Sequence, residues 1–146
     1  MPDAVQIVEV CPRDGLQNEA VSLPTDIKIE LISRLAAAGC TRIEASSFVS
    51  PSAVPQMADA DDVFRGLRVT DGTDMIALVP NERGYDRAIA AGCRSVEVFA
   101  AATEAFSQAN IRCSVDESFA RFAPVLAKAA TDGTRVRGAV SVAFNC

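Results

Sequence analysis

The run Glu9-Val10-Cys11-Pro12-Arg13-Asp14-Gly15-Leu16-Gln17-Asn18-Glu19 gathers groups that can do chemistry. A guanidinium and a carboxylate stand on adjacent residues, followed by a glycine. Taken alone, Arg13-Asp14-Gly15 also describes a surface turn, because Asp and Gly supply turn conformations. Its setting favours a site. The cluster follows Gln6-Ile7-Val8-Glu9-Val10, which reads as a buried strand, so it falls at a strand's C-terminal end. Barrel enzymes place their active sites there. The sequence holds no histidine. Ser-His-Asp and Cys-His catalysis, and any His-ligated metal site, are therefore excluded within this chain. The five cysteines, Cys11, Cys40, Cys93, Cys113 and Cys146, form no CxxC pair. An odd, widely spaced set suggests neither a disulfide framework nor a zinc knuckle. Cys40 and Cys93 are expected to be small buried residues.

Alternating elements must position that cluster. Pro24 to Ala38 reads as a helix, with Pro24 near its start and Ile27, Leu31, Leu35 and Ala38 on one apolar face. Gly39 ends it, and residues 42–46 form the next strand. The pattern then repeats, with a strand over 75–79, a helix over 82–91 carrying Tyr85, Ala88 and Ile89 inward, and Gly92 closing it. Another strand spans 95–100. A helix over about 115–130 is expected to bury Phe119, Phe122, Leu126 and Ala129, and an apolar strand spans 137–144. Residues 58–67 read as a further, weaker helix. The segment Ala37-Ala38-Gly39-Cys40-Thr41-Arg42-Ile43-Glu44 is echoed by Ala90-Ala91-Gly92-Cys93-Arg94-Ser95-Val96-Glu97, with Glu at the same place in each strand. Such alternation predicts an α/β fold with about five parallel strands and four outer helices. A doubly wound sheet and a partial (β/α)8 barrel both fit this pattern. A full barrel needs about 250 residues. The chain stops just after an apolar strand with no helix to cover it, which favours the partial barrel.

With 49% hydrophobic and 23% charged residues, disorder is not expected as the main state. A net charge of -5 argues against a nucleic-acid footprint, which needs a basic face. It does not exclude a small anionic substrate met by a few placed arginines. No apolar run approaches the roughly 20 residues that cross a bilayer. Met1-Pro2-Asp3-Ala4 is acidic and lacks a leader's basic and apolar regions, so a cytoplasmic location is expected.

Three ordered segments resemble the hydroxymethylglutaryl-CoA lyases, metal-dependent barrel lyases related to isopropylmalate synthase. They are Pro12-Arg13-Asp14-Gly15-Leu16-Gln17-Asn18-Glu19; residues 43–51 continuing to Val54-Pro55-Gln56-Met57; and Asn110-Ile111-Arg112-Cys113-Ser114 with Glu117-Ser118-Phe119. The resemblance implies that residues 1–146 are the N-terminal half of a TIM-barrel lyase domain, truncated at the fifth strand. It implies Asp14 as a ligand to Mg²⁺ or Mn²⁺, for which a hard oxygen donor is suited. It implies Arg13 at the thioester carbonyl, stabilising the enolate formed on bond breakage, and Glu44 supporting this cluster by hydrogen bonding. Gln17, Ser47 and Asn110 would shape the site for an acyl-CoA substrate. Glu44 also reads as the ion-pair partner of a neighbouring arginine, Asn110 as a cap before the residue-115 helix, and Cys113 as structural. The implied partners are a homodimer mate or a complementing C-terminal half, with no nucleic acid and no membrane.

The implied reaction splits 3-hydroxy-3-methylglutaryl-CoA into acetyl-CoA and acetoacetate. The family's His-x-His metal ligands, a later Asp and a cysteine on a glycine-rich loop have no counterpart here, and Cys146 is not that loop cysteine. The fragment alone is therefore expected to bind metal poorly and not to turn over. Two alternatives stand beside this reading: a fragment of a related acyl-CoA-dependent synthase, and a non-catalytic, degenerate barrel module. The synthases usually differ in the Leu-Gln-Asn-Glu stretch. A free-standing module should place charge on its last strand, yet residues 140–144 carry none.

Overall fold

In the computed structural model, residues 5–68 and 72–144 are described. Met1 to Ala4 and Cys146 lie outside them. Helix α1 (Thr25–Ala37) leads to strand β1 (Arg42–Ser47), α2 (Ala60–Gly66) to β2 (Asp74–Leu78), and α3 (Glu82–Ala90) to β3 (Ser95–Ala101). Helices α4 (Glu104–Ile111) and α5 (Val115–Asp132) then precede β4 (Arg135–Ser141). The strands are all parallel and lie in the order β1-β2-β3-β4. A doubly wound sheet reverses its strand order at a switch point; this one advances one strand at a time, as an arc of a (β/α)8 barrel does.

The expected first strand is reduced to one bridge, Glu9 to Ile43, outside β1. Glu9 N donates to Arg42 O at 3.0 Å, and Glu44 N donates to Glu9 O at 2.8 Å. Ile7 before it is 82% exposed, so this segment has one neighbour and nothing to bury its apolar side. Among the described residues there are thus four strands rather than five, and five α-helices rather than four. The additional helix, α4, is short, and its start is fixed by Thr103, whose hydroxyl accepts from Phe106 N at 3.3 Å.

The helix–sheet core holds the outward strand residues Ile43, Ala45, Met75, Ala77 and Val96, with Val79 just after β2, against Ile32, Val63, Phe64, Tyr85, Ala88 and Val125. Helix α1 is rotated from its expected face. Lys28 and Ile32 are buried, while Ile27 and Ala38 are exposed. Ile29, Ile32, Leu35 and Ala36 pack on the core instead, and beside them the Lys28 ammonium donates to Asp59 Oδ1 and to Gln56 O, each at 2.6 Å. Helix α5 buries Ser118, Phe122, Val125 and Ala129, leaving Phe119 and Leu126 exposed. Its facing residue is Phe99, whose ring centroid lies 6.1 Å from that of Phe122. Helix α3 turns Tyr85 and Ala88 inward as expected, with Ile89 packed beside them.

Gly39 and Gly92, which the sequence echo sets before β1 and β3, have φ of +99° and +95°, conformations that favour glycine. Cys93 is buried, and that burial pushes its thiol up to about 11, so it is an inert packing residue. Cys40 is only half-buried, contrary to expectation. No helix among the described residues is long and apolar enough to cross a membrane.

Gly84 fixes how α3 meets the top of the sheet. A Cβ there would lie 2.8 Å from Pro80 Cδ and 2.9 Å from Phe48 O. Gly84→Ala should therefore lower unfolding stability by about 1–3 kcal/mol, the usual cost of overpacking. Urea unfolding measures it, and an unchanged midpoint would refute this account of the contact.

Candidate active site

The site begins with a single wide turn, Cys11–Gly15, that folds the chain back over β1. Arg13 N and Asp14 N both donate to Val10 O, at 3.1 and 2.7 Å. The turn aims Arg13 at Glu44 on β1. Arg13 Nε donates to Glu44 Oε1 at 2.6 Å, and Nη2 donates to Oε2 at 3.1 Å. Nη1 donates to Asp14 Oδ1 at 2.7 Å. The Glu44 side chain is 1% exposed and that of Asp14 56%. One carboxylate thus anchors the guanidinium from beneath while the other stands at the mouth. In the geometry Glu44 is the ion-pair partner of an arginine, through two hydrogen bonds.

A cleft of about 410 Å³ opens above this pair. Arg13, Asp14, Gln17, Ser47 and Asn110 all line it. Strict alternation along β1 would turn Ser46, not Ser47, to the same side as Glu44. A bulge between Glu44 and Ser46 inserts one residue and re-aims the strand. Ser47 consequently faces the cleft, and its buried Oγ has no hydrogen-bond partner among the described residues. Asn110 comes from α4, beside Phe106 and Ile111. It does not cap α5. Ser114 does, accepting from Glu117 N at 3.0 Å, while Glu117 Oε2 accepts from Ser114 N at 2.8 Å. Cys113 is buried outside the cleft, in keeping with a structural role.

Sequence reasoning did not single out Glu97 as a site residue, although the echo had marked its position. It lines the cleft and is 3% exposed. Arg137 Nη1 lies 2.8 Å from its Oε2, an ion-pair contact without hydrogen-bond geometry. Burial pushes the Glu97 carboxyl up, and nearby Glu44 adds to this, while Arg137 and Arg13 pull it down. The other lining missed is apolar: Val49, Ala53 and Val54 from the loop after β1, and Phe99 and Phe106.

Among the described residues no three His, Cys, Asp or Glu side chains come together as a cation site. Asp14 offers one carboxylate at the cleft mouth, whereas Mg²⁺ asks for near-octahedral oxygen coordination. These residues fit a divalent cation as one donor of a larger set and not as its cage.

Parallel strands wound in sequential order, with a polar cleft at their C-terminal ends, define an arc of a (β/α)8 barrel enzyme. A family model described as HMGL-like matches residues 4–146. The chain is 54% identical to hydroxymethylglutaryl-CoA lyase of Pseudomonas mevalonii over 98% of its own length and 48% of that protein. The crystal structure of hydroxymethylglutaryl-CoA lyase from Pseudomonas aeruginosa superposes with a TM-score of 0.94 at 50% identity, covering 99% of this chain and 48% of that one. An HMG-CoA lyase from Acinetobacter baumannii, in complex with coenzyme A and 3-methylmalate, superposes at 0.90 and 38% identity, over 95% of this chain and 45% of that one. This chain belongs to the HMGL-like family, which is metal-dependent in general. It spans about half the length of the curated relatives it matches.

Because the Glu97 carboxyl is raised above its ordinary 4.5, the native state holds that proton more tightly than the unfolded chain. This group's stabilising contribution is fully present below pH 4.5 and is lost as pH rises through the folded value. Glu97→Gln, which cannot ionise, should escape that loss. The variant's urea midpoint, relative to wild type, should therefore rise between about pH 4 and 7. A relative midpoint that falls over that range would overturn the sign.

Proposed function

We propose that this chain is the first half of a carbon–carbon lyase that cleaves 3-hydroxy-3-methylglutaryl-CoA to acetyl-CoA and acetoacetate. The observation that carries this reading is convergence. Arg13, Asp14, Gln17, Ser47 and Asn110 come from three separate segments, and all line one cleft in a chain of the HMGL-like family. The relatives' names and the assembled cleft give no support to the synthase or degenerate-module alternatives.

Arg13 is the catalytic cation of this proposal. Glu44 holds one edge of its guanidinium through Nε and Nη2, so the group is oriented before substrate arrives. A base from beyond these residues would take the substrate's hydroxyl proton, and that proton is the one the enolate carbon later receives. When the bond between the alkoxide carbon and its neighbour then breaks, the electron pair moves onto the thioester carbonyl oxygen as an enolate. A preorganised guanidinium stabilises that charge without reorganising. The enolate carbon then takes a proton to give acetyl-CoA, and the former hydroxyl carbon becomes the ketone of acetoacetate. Gln17, Ser47 and Asn110 would orient the polar end of the acyl group, with the apolar wall at Val49, Val54 and Phe106 beside it.

Asp14 would hold Mg²⁺ or Mn²⁺ together with ligands from beyond these residues. Such an ion supplies Lewis-acid polarisation of the oxygens bound to it. The partner that completes the site is proposed to be the second half of the barrel, in the same chain or as a complementing chain. Val136 and Val140 on β4, and Phe119 and Leu126 on α5, are the exposed apolar side chains it would meet. Homodimerisation and a cytoplasmic setting belong to the same proposal. The free thiols of Cys11, Cys40, Cys93 and Cys113 suit a reducing compartment.

In the longest natural polypeptide containing these residues, Mg²⁺-dependent release of acetoacetate is the expected result. Arg13→Gln should lower kcat by about 10²–10³-fold, the scale of losing one preorganised donor to an oxyanion. The 146-residue chain alone should show no turnover. Absence of cleavage by the longer polypeptide would sink the lyase reading.

A further inference from the structure

Glu97 is the second carboxylate lining the cleft, after Asp14. The strand registers pair Ser47 with Leu78, Leu78 with Glu97, and Glu97 with Arg137, so these four occupy one row across β1 to β4. Glu44 lies on the same side of β1 as Ser47, past the bulge. Two glutamates therefore face one interior, each with its own guanidinium: Arg13 for Glu44 and Arg137 for Glu97. The sequence echo puts both glutamates at the same distance from their glycine turns. The two pairs are built differently. Arg13 grips Glu44 through two directional hydrogen bonds. Arg137 and Glu97 are held by charge alone, and Glu97 Oε2 and Arg137 Nη1 are both buried without a hydrogen-bond partner. Glu97 also lies in the field of the first pair, since Glu44 and Arg13 both act on its carboxyl.

We propose that Glu97 and Arg137 form a positioning pair whose mutual neutrality keeps the Arg13–Glu44 fork intact. Without the Glu97 charge, Arg137 becomes an unneutralised cation that repels Arg13 and attracts Glu44. Without the Arg137 charge, Glu97 becomes a buried anion that attracts Arg13 away from Glu44 and repels Glu44. Removal of both charges leaves the interior neutral again, and the fork returns. The catalytic meaning of this pair rests on the lyase reading above, but its effect on Arg13 does not.

The test follows the Arg13 Nε–H proton by NMR in the ¹⁵N-labelled chain, with Arg13→Lys identifying its signal by loss. Glu97→Gln and Arg137→Gln should each speed solvent exchange of that proton by about tenfold, and the double variant should return within about twofold of wild type. A purely packing role predicts no compensation in the double variant. Unchanged exchange in the single variants, or a double variant worse than either, overturns the proposal. If Glu97→Gln does not fold, Arg137→Gln carries the same test, because its side chain is 39% exposed and tolerates change. Glu97→Gln should loosen Arg13 even where it raises the urea midpoint, a combination that a structural role does not give. Cleavage by the longer polypeptide with unchanged exchange would remove this pair and leave the lyase reading standing. Compensating exchange without cleavage would do the reverse.

Discussion

A carboxylate as deeply buried as Glu44 costs several kcal/mol to desolvate, and the fork of Arg13 is what offsets that cost. The rest of the site follows from this pairing. Arg13 can reach Glu44 only because the chain reverses over the end of β1, and the reversal is built from Pro12 and the two amides that share Val10 O. The single bridge of Glu9 to β1 holds the base of that turn. With Glu44 occupying Nε and Nη2, and Asp14 taking Nη1, the guanidinium is fixed in place at the wall of the cleft. In the proposed lyase, preorganisation of this kind would place a cation where negative charge develops and spare the reorganisation that water would require.

The bulge in β1 does a second job that alternation alone could not. A regular strand would put Glu44 and Ser46 on the interior side. The inserted residue instead brings Ser47 into register with Leu78, and so onto the row that continues to Glu97 and Arg137. The buried polar atoms without hydrogen-bond partners among the described residues, Ser47 Oγ, Glu97 Oε2 and Arg137 Nη1, all belong to this row. Such atoms are costly in a closed core. Concentrated along one row of the sheet, with Ser47 and Glu97 lining the cleft, they mark a place that meets a ligand or a further wall of protein.

Much of this architecture was legible in the sequence because its signals are local. Glycine turns at Gly39 and Gly92 and the apolar runs of β2 and β3 announce themselves within a few residues. The motif Arg13-Asp14-Gly15 announced the site by its place after an apolar run, even though that run proved to be a single bridge. The errors came from information held elsewhere in the fold. On α1 the face that packs is a neighbouring apolar period, Ile29, Ile32, Leu35 and Ala36, with Lys28 beside it reaching Asp59 and Gln56. The face of α5 was set by the position of Phe99. Helix α4 was missed because eight residues carry little periodicity, although Thr103 and Glu104 are an N-terminal signature. Glu97 was visible as half of an echo, but its pairing with Arg137 depends on a strand register that no local pattern specifies.

The charges of the cleft also bear on what it can accept. Glu44 and Glu97 are each matched by a guanidinium, so the interior is close to neutral. The carboxylate in excess is Asp14, which shares Arg13 and is the most exposed of the three. An acyl-CoA bearing a free carboxylate would approach a mouth that carries surplus negative charge, in a chain whose overall charge is -5. Electrostatics of that sign oppose binding of an anion. A divalent cation, if held at Asp14 as proposed, would reverse the sign at the point of entry. The same excess carboxylate that would repel the substrate alone is thus the reason the family's dependence on metal suits this cleft. The inner pairs, already balanced, stay available to orient Arg13.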